Sequence, residues 1–381
     1  MPFHTAILCS RMCPALGPQT GTVLRAGRRR SPLLVHVTAM LDTIPHLSQL
    51  LDATFPGSPP TDFTALPAQL STRRYYRLSL TGSPASVIVM RLPDDEAADG
   101  PSRVQARAFV DVQHFLSSRD IPVPQVYAED IAHGLVLLED LGDETFEARL
   151  RTLELGDWHR PYSQAIDLLA KLHQTAESST PDLSIALRRR FELSLLRSEL
   201  DHFREWGLEA LHGPLSPVDR AQLDAYFDHL VAAIAALPTG LVHRDFQSRN
   251  LMWAPSGALV TIDFQDAFIG PAAYDLVALL CDSYVDMTAG LQDAMLLRYA
   301  ERRDFTAAQL TQLVHGFRLI AVQRKLKDAG RFVFIDRVRK NPSFLGYYPG
   351  SLRYVARAIA DLPELLPLQQ ALLRLVPGFP S

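Results

Sequence analysis

The chain has 381 residues, of which 47% are hydrophobic and 21% charged, and its formal net charge is −4 at pH 7. This composition excludes a wholly disordered chain and argues against a protein built to bind nucleic acid or an anionic membrane. The three cysteines are too few for a disulfide framework, and no apolar stretch is long enough to cross a bilayer. We therefore expect a reduced, cytoplasmic protein with two or three domains or one two-lobed unit.

The first 39 residues differ in composition from the rest. Up to Leu41 there is no Asp or Glu, but there are five arginines. This stretch lacks the continuous apolar core of a secretory signal and the amphipathic period of a transit peptide. A helical pattern opens just after Met40, with Leu47, Leu50 and Leu51 on one face. We expect the native chain to begin at Met40 and residues 1–39 to be a non-native or disordered extension.

Hydrophobic periodicity predicts an α+β unit over residues 40–139. Apolar residues at steps of three and four predict helices at 42–56 and 104–116. Runs rich in β-branched and aromatic residues, bounded by turn residues, predict strands. These strands cover residues 75–80 and 86–90, which form a hairpin, residues 134–138, and a short segment at Val126.

Residues 140–381 are mostly helical in pattern. Apolar residues recur at helical spacing, for example at Leu310, Leu313, Phe317 and Ile320. A β-type island at residues 241–262 interrupts the helices and predicts a small sheet. The composition changes at residues 139–142, where we place the domain boundary.

Three polar residues lie on the loops of this β island, at one end of the predicted sheet: Asp245, Asn250 and Asp263. Transfer of a γ-phosphoryl group requires a hard cation on the phosphates, for which Asn and Asp supply oxygen ligands. It also requires a carboxylate that orients the acceptor hydroxyl and takes its proton. The residue types and their order therefore favour phosphoryl transfer.

The segment HRDFQSRN, residues 243–250, matches the His-Arg-Asp-x-x-x-x-Asn catalytic loop of protein kinases. Together with IDFQDAFIGPAAYDLVALLCD, residues 262–282, it is more similar still to the aminoglycoside phosphotransferase/choline kinase superfamily. Within that superfamily the chain resembles the bacterial anomeric N-acetylmuramate/N-acetylglucosamine kinases over most of its length from Met40. The segments at 71–77, 137–142 and 323–330 take part in the resemblance.

This resemblance implies a two-lobed, protein-kinase-like α+β fold. Residues 40–139 would form a small, β-rich N-lobe that covers ATP. Residues 140–381 would form a larger, mostly helical C-lobe that holds the catalytic loop and the acceptor site.

The resemblance also implies roles for individual residues. Asp245 would be the catalytic base, Asn250 and Asp263 would ligate Mg²⁺, and Asp275 would brace the catalytic loop. His243 is expected to be structural and to pack beneath that loop.

Four residues are expected on the ATP side by the same resemblance. Ser71 and Arg74 belong to the phosphate-side turn. Glu139 and Leu141 belong to the hinge that would meet adenine through backbone groups.

The chain departs from the protein-kinase pattern in its first lobe. It has no Gly-rich loop, and Met90 stands where kinases carry a strand lysine. The candidates to replace the lysine charge are Arg74, Arg77 and Arg91, of which we choose Arg74 because it lies in the turn. No acidic residue stands where the lysine's partner glutamate is expected, unless Asp111 serves.

Three further residues are candidates for acceptor binding. Arg249 would bind an acidic substrate or brace the loop. Gln265 and Asp266 would contact substrate, or simply stabilise their own loop.

The predicted function is ATP-dependent phosphorylation of the C1 hydroxyl of N-acetylmuramate or N-acetylglucosamine in cell-wall recycling. The resemblance would link such a product to a sugar-1-phosphate uridylyltransferase. The alternatives are a phosphotransferase acting on an aminoglycoside or amino alcohol, with Asp282 and Asp286 as acidic contacts, and a nucleotide-binding pseudokinase.

Overall fold

The computed structural model describes Val37 and residues 40–67, 73–93 and 100–380. The expectation for residues 1–39, Val37 apart, and the expectation for Ser71 therefore lie outside the described residues. Val37 itself is buried in the same apolar cluster as Leu47 and Leu51.

The N-terminal part is built around a five-stranded antiparallel sheet in the order β1-β2-β3-β5-β4. Its strands are β1 (Pro60–Ala65), β2 (Arg74–Leu80), β3 (Ser86–Arg91), β4 (Val126–Asp130) and β5 (Leu135–Glu139). Two helices accompany the sheet, α1 (Leu47–Thr54) and α2 (Pro101–Ser117). The predicted hairpin and helices are confirmed, whereas β1 was not predicted.

This sheet is covered on both faces. Leu78, Val87 and Leu137 pack with α1 on one side, while Met90 and Val136 join the main core on the other. Because β5 is buried on both faces, its sequence is a continuous apolar run rather than an alternating one. The sheet therefore shares a core with the helical part of the chain.

The C-terminal part is mostly helical. Its first helices are α3 (Phe146–Leu150), α4 (His159–Thr175), α5 (Ile185–Arg188) and α6 (Leu193–His202). A π-helical segment at Phe203–Glu209 leads to α7 (Ala210–His212) and α8 (Pro217–Ala235). The later helices are α9 (Ala273–Leu280), α10 (Ala289–Arg302), α11 (Ala307–Arg339), α12 (Tyr348–Ile359) and α13 (Leu366–Leu375).

The β island consists of two ribbons rather than the single small sheet predicted. Strand β6 (Thr239–Val242) pairs with β9 (Phe268–Pro271), and β7 (Leu251–Trp253) pairs with β8 (Leu259–Thr261). Among the described residues, the two ribbons are not joined by backbone hydrogen bonds into one sheet. The loop at residues 243–250 joins the two ribbons, and Asp263 follows β8.

The long helix α11 crosses this region. Its Gly330 approaches the π-helical segment so closely that a Cβ there would lie 2.7 Å from the Phe203 Cα. A larger residue at 330 would separate the two elements, so the absence of a side chain fixes where α11 lies. Within the described ranges, no helix is both long and apolar enough to cross a membrane.

Candidate active site

The loop at residues 243–250 is anchored from below by Asp275. This fully buried carboxylate, in the first turn of α9, accepts the backbone N–H of His243 over 2.6 Å and that of Arg244 over 2.9 Å. Arg244 has a φ of 83°, a left-handed conformation that is uncommon for a side chain of its size. The two backbone hydrogen bonds stabilise this turn, as the bracing role expected for Asp275 requires.

Asp275 is itself held by His173 of α4. The His173 ring is buried, with Nε2 3.1 Å from the Asp275 carboxylate and Nδ1 2.7 Å from the Tyr299 hydroxyl. A chain of buried polar contacts thus connects α10, α4 and α9 to the loop. Neither His173 nor Tyr299 was singled out in the sequence, because both lie in ordinary helical patterns.

His243 lies beneath the loop, as expected. Its ring is almost fully buried, and Nε2 is 2.8 Å from the Thr261 hydroxyl. Burial lowers the pKa of His243, which keeps the imidazole neutral near pH 7. These contacts suit a packing residue rather than a group that exchanges protons with a ligand.

Asp245 lies in the loop two residues after His243 and keeps part of its carboxylate exposed. Arg324 of α11 donates to Asp245 Oδ1 over 3.0 Å and to the Arg244 carbonyl over 2.9 Å. Burial opposes ionisation of Asp245, but Arg324, Lys327 and Arg244 lower its pKa to about 2. The carboxylate is therefore ionised at neutral pH and fixed in one position.

Asn250 and Asp263 lie side by side next to Asp245. Asn250 Nδ2 donates to the Asp245 carbonyl over 2.9 Å and is 3.5 Å from Asp263 Oδ2. Asp263 has a φ of 64°, and its Oδ1 accepts from Gln265 Nε2 over 2.8 Å. The structure therefore brings together the three residues on which the sequence argument depended.

This pair of residues fits a magnesium ion held jointly with phosphate groups. Because Asn250 Nδ2 is used in a hydrogen bond, Oδ1 is the atom of that amide that can ligate a cation. In the part of the chain that the structure describes, no group of three or more His, Cys, Asp or Glu side chains could hold a metal. Two oxygen-bearing side chains are what Mg²⁺ uses when substrate phosphates supply further ligands.

Asp245, Asn250 and Asp263 open onto a cavity of about 790 Å³. Its far wall is formed by α11, through residues from Arg324 to Ile335, and by the segment 341–344. Asp282, Ser283 and Tyr284 line another side. The cavity is large enough for a small sugar or a molecule of similar size.

The two residues expected at the hinge, Glu139 and Leu141, lie where the five-stranded sheet ends and the C-terminal part begins. The Glu139 N–H donates to the Gln125 carbonyl over 2.8 Å, at the end of β5. Leu141 packs with Ala254 and Val260 in a small apolar cluster at the second ribbon. Neither Glu139 nor Leu141 lines the large cavity, so they belong to a separate region between the lobes.

Two adjacent arginines at the start of β2, near Met90, differ in burial. Arg74 is exposed on β2, whereas the preceding Arg73 is buried and donates to Gln105 of α2 over 2.7 Å. The Tyr75 hydroxyl lies 3.5 Å from Met90 Sδ, and burial raises the pKa of that hydroxyl.

The charged groups that affect the pKa of the Tyr75 hydroxyl show where this part of β2 lies relative to Asp263. After burial, Arg73 lowers the pKa of Tyr75 and Asp263 raises it, so Tyr75 lies within electrostatic reach of both. Asp111, the other acid considered, instead accepts from the Ser184 hydroxyl and the Ile185 N–H. Arg73 is thus a buried cation next to Tyr75, whose hydroxyl contacts Met90, and it was not among the sequence candidates for the missing lysine charge.

Arg77, another candidate for the missing lysine, is used elsewhere. It pairs with Asp140 over 2.8 Å and with Asp143 over 2.9 Å, just beyond the hinge. Arg77 therefore ties β2 to the beginning of the C-terminal part. The helix that follows these two carboxylates, α3, is capped at its N-terminus by the Thr145 hydroxyl.

Arg249 lines the cavity, but its guanidinium is already paired. Nε lies 2.6 Å from Glu147 Oε2, and the guanidinium stacks 3.5 Å from the Tyr284 ring centre. These contacts are those of a brace between the loop and α3.

Gln265 and Asp266 are not part of the cavity lining. Gln265 is buried and hydrogen-bonded to Asp263, and Asp266 is half-buried in the turn that follows. The structure thus places the two residues behind the proposed metal ligand rather than at the acceptor cavity.

The model of the phosphotransferase enzyme family matches residues 62–313 of the chain. The protein from Pseudomonas aeruginosa named N-acetylmuramate/N-acetylglucosamine kinase is 31% identical over 325 residues, which are 84% of this chain and 90% of that protein.

Two solved structures show the same fold. A choline/ethanolamine kinase family protein from Mesorhizobium loti has a TM-score of 0.53 at 16% identity, covering 89% of this chain and 98% of that one. An ADP-bound aminoglycoside phosphotransferase has a TM-score of 0.55 at 13% identity, covering 82% of this chain and 98% of that one. The predicted two-lobed, kinase-like fold is thus confirmed.

Proposed function

The chain belongs to the phosphotransferase enzyme family, and we propose that it transfers the γ-phosphoryl group of ATP to the anomeric hydroxyl of N-acetylmuramate or N-acetylglucosamine. The observation that carries this proposal is the convergence of Asp245, Asn250 and Asp263 at one edge of the 790 Å³ cavity. The name of the Pseudomonas relative supports the choice of acceptor.

In this proposal, Asp245 orients the acceptor hydroxyl and takes its proton. Its low pKa keeps the carboxylate ionised, and Arg324 holds it in place. A carboxylate of low pKa is a weak base in water, but it needs to accept the proton only as the O–P bond forms. Most of the rate enhancement would then come from positioning.

Asn250 and Asp263 would hold Mg²⁺ together with the phosphate oxygens of ATP. When bound, this ion would neutralise charge that develops on the transferred phosphoryl group. The ADP-bound neighbour of the same fold supports nucleotide binding, which we place between the lobes. There, backbone groups after Glu139 would meet adenine, with Leu141 on the apolar floor.

For the charge that replaces the strand lysine, we favour Arg73 over Arg74. Arg73 is buried beside Tyr75 and Gln105, and Tyr75 is within reach of the charge on Asp263. In this proposal, the Arg73 guanidinium would approach the phosphates of ATP from this position beside Tyr75. Arg74, by contrast, is exposed on the sheet.

The cavity offers little support for a cationic acceptor. Asp282 is buried and accepts the backbone N–H groups of Ser248 and Tyr284, while Asp286 is exposed and lies outside the lining. Neither carboxylate is placed to bind an ammonium group. An aminoglycoside or amino alcohol is therefore a poorer match to this cavity than an N-acetylated sugar.

The experiment is ³¹P and ¹H NMR of the purified full chain with Mg·ATP and each of the two sugars. We expect an α-1-phosphate to appear together with ADP. If the sugars stay unmodified while an aminoglycoside or choline is phosphorylated, the acceptor assignment is wrong. If no acceptor is phosphorylated although ATP binds, the chain is a nucleotide-binding pseudokinase.

A further inference from the structure

The α11 wall of the cavity carries three cations on one face. Arg324, Lys327 and Arg331 are spaced by three and four residues, so they project from the same side of the helix. Arg324 is fully used by Asp245 and the Arg244 carbonyl. The other two cations lie one and two helical turns farther along the cavity.

The carboxylates in the same cavity are already occupied. Glu199 accepts from Gln323 Nε2 over 2.9 Å, and Asp328 accepts from Lys325 over 2.8 Å. Asp282 accepts two backbone N–H groups. Of these acids, Glu199 keeps its charge and pairs with Lys327 over 3.4 Å, whereas no carboxylate of the described residues forms an ion pair with Arg331.

Lys327 and Arg331 have longer or fewer polar contacts than Arg324. The Lys327 side chain is 15% exposed, and its ammonium pairs with Glu199 over 3.4 Å and lies 3.5 Å from the Tyr274 hydroxyl. Burial opposes its ionisation, but Glu199 and Tyr274 raise the pKa of Lys327, so it stays charged. Among the described residues, Arg331 has no ion-pair partner, and it is exposed to the cavity.

We propose that Lys327 and Arg331 together bind a carboxylate carried by the acceptor, so that this chain favours an acidic amino sugar over its neutral counterpart. This inference rests on the proposed function. N-acetylmuramate carries a lactyl carboxylate on O3, two ring carbons from the reacting C1, whereas N-acetylglucosamine does not.

The helix geometry suits this arrangement. With a rise of about 1.5 Å per residue, Lys327 lies about 4.5 Å and Arg331 about 10 Å along the axis from Arg324. Since Arg324 touches Asp245, a sugar whose C1 hydroxyl meets Asp245 would extend its O3 substituent along this row of cations. Phe332 and Phe344 stack beside the row and offer an apolar surface to the ring.

The test compares kcat/KM for the two sugars in the parent chain and in R331Q, R331K and K327Q. In R331Q we expect the preference for N-acetylmuramate to fall about tenfold, which corresponds to about 1.4 kcal/mol. The change should appear in KM for that sugar, while kcat/KM for N-acetylglucosamine stays within about twofold. R331K should retain part of the preference, and K327Q should reduce it. R337Q is the control, because Arg337 is exposed on the same helix beyond the cavity lining.

A second readout separates charge recognition from shape. Raising ionic strength should increase KM for N-acetylmuramate in the parent chain and have less effect in R331Q, because screening weakens an exposed ion pair. If R331Q leaves the preference unchanged, or lowers kcat/KM for both sugars equally, the inference is wrong while the proposed function stands. If the parent chain phosphorylates N-acetylglucosamine alone, the inference also fails. If it phosphorylates neither sugar, the proposed function is wrong, and the inference that rests on it is wrong as well.

Discussion

The Arg324 guanidinium, 5% exposed, lies 3.0 Å from Asp245 Oδ1 and holds the proposed base from a helix that begins more than sixty residues later in the chain. Its ring-stacking partner is Tyr274, 4.7 Å away. A buried cation at this position fixes both the direction and the ionisation of the carboxylate. Activity should therefore depend on Arg324 as well as on Asp245.

The first prediction concerns Asp245 itself. Replacing it by Asn keeps the shape of the side chain but removes the proton acceptor, so phosphoryl transfer should fall about a thousandfold. The measurement is the initial rate of ADP formation with sugar present, together with a circular dichroism spectrum. Asp286→Asn, at an exposed residue outside the cavity, is the control and should remain within about twofold. A D245N variant with more than a tenth of the parent rate would exclude the proposed role.

The second prediction concerns pH. In the parent chain the pKa of Asp245 is lowered to about 2, so this group should give no acidic limb in kcat/KM above about pH 4. Burial opposes ionisation of Asp245 and Arg324 is the largest cause that lowers its pKa, so Arg324→Gln should raise that pKa to or above the ordinary aspartate value of about 4. The low pKa also stabilises the fold above pH 4, and this contribution is lost as pH falls toward 2.

The measurement is the difference between the pH profiles of R324Q and the parent, from pH 4 to 8. We expect a new loss of activity at the acidic end in R324Q. R324K, which keeps a positive charge, should show a smaller displacement. Superimposable profiles in all three proteins would show that Arg324 does not control the ionisation of Asp245.

The third prediction concerns Asp275. Its carboxylate accepts two backbone N–H groups of the catalytic loop and is fully buried, so Asp275→Asn places an N–H₂ group where only acceptors fit. We expect a loss of about 2–4 kcal/mol in the free energy of unfolding and a fall in kcat larger than any change in KM for ATP. Urea denaturation and steady-state kinetics measure the two effects. Asp266→Asn, in a half-buried turn, is the control; equal stability of the two variants would contradict the bracing role.

The proximity of the three proposed site residues could be predicted from the sequence because they lie close together in the chain. Asp245, Asn250 and Asp263 lie within nineteen positions, and the first two have the spacing of the His-Arg-Asp-x-x-x-x-Asn motif. Their partners could not be predicted in the same way. Arg324 is 79 residues from Asp245, and Glu147 is 102 residues from Arg249. Both partners, Arg324 and Glu147, lie in helices. The sequence pattern of a helix shows which of its faces is apolar, but not which distant residue the helix contacts.

The same limit applies to the choice of Arg74 at the phosphate side, for which we now propose Arg73. Arg73 and Arg74 are adjacent and chemically identical, so only the direction of each side chain distinguishes them. Strand β1 escaped prediction for another reason: of its six residues, only Phe63 is buried, and it begins with a proline. An edge strand of this kind lacks the apolar alternation that identifies a strand in a sequence.

The fourth prediction tests the choice between these two arginines. If Arg73 faces the phosphates, Arg73→Gln should raise Kd for Mg·ATP about tenfold, because a charge-assisted contact is lost. Arg74→Gln, which changes an exposed neighbour of the same type, is the matched control and should stay within about twofold. Isothermal titration calorimetry without sugar measures binding apart from transfer. The opposite ranking of the two variants would restore Arg74 as the phosphate-side residue.

The last prediction concerns Arg249, which the sequence left between substrate binding and bracing. The guanidinium makes two hydrogen bonds to Glu147, at 2.6 and 3.2 Å, and lies over Tyr284. A double-mutant cycle with Glu147→Gln and Arg249→Gln should therefore give a coupling of about 1 kcal/mol or more in the free energy of unfolding. Arg151, which also contacts Glu147 but is more exposed, supplies the control cycle and should couple more weakly. If Arg249 instead bound the acceptor, R249Q would raise KM for N-acetylmuramate selectively and show no coupling to Glu147. Bracing predicts the reverse, a loss of stability together with an equal effect on both sugars.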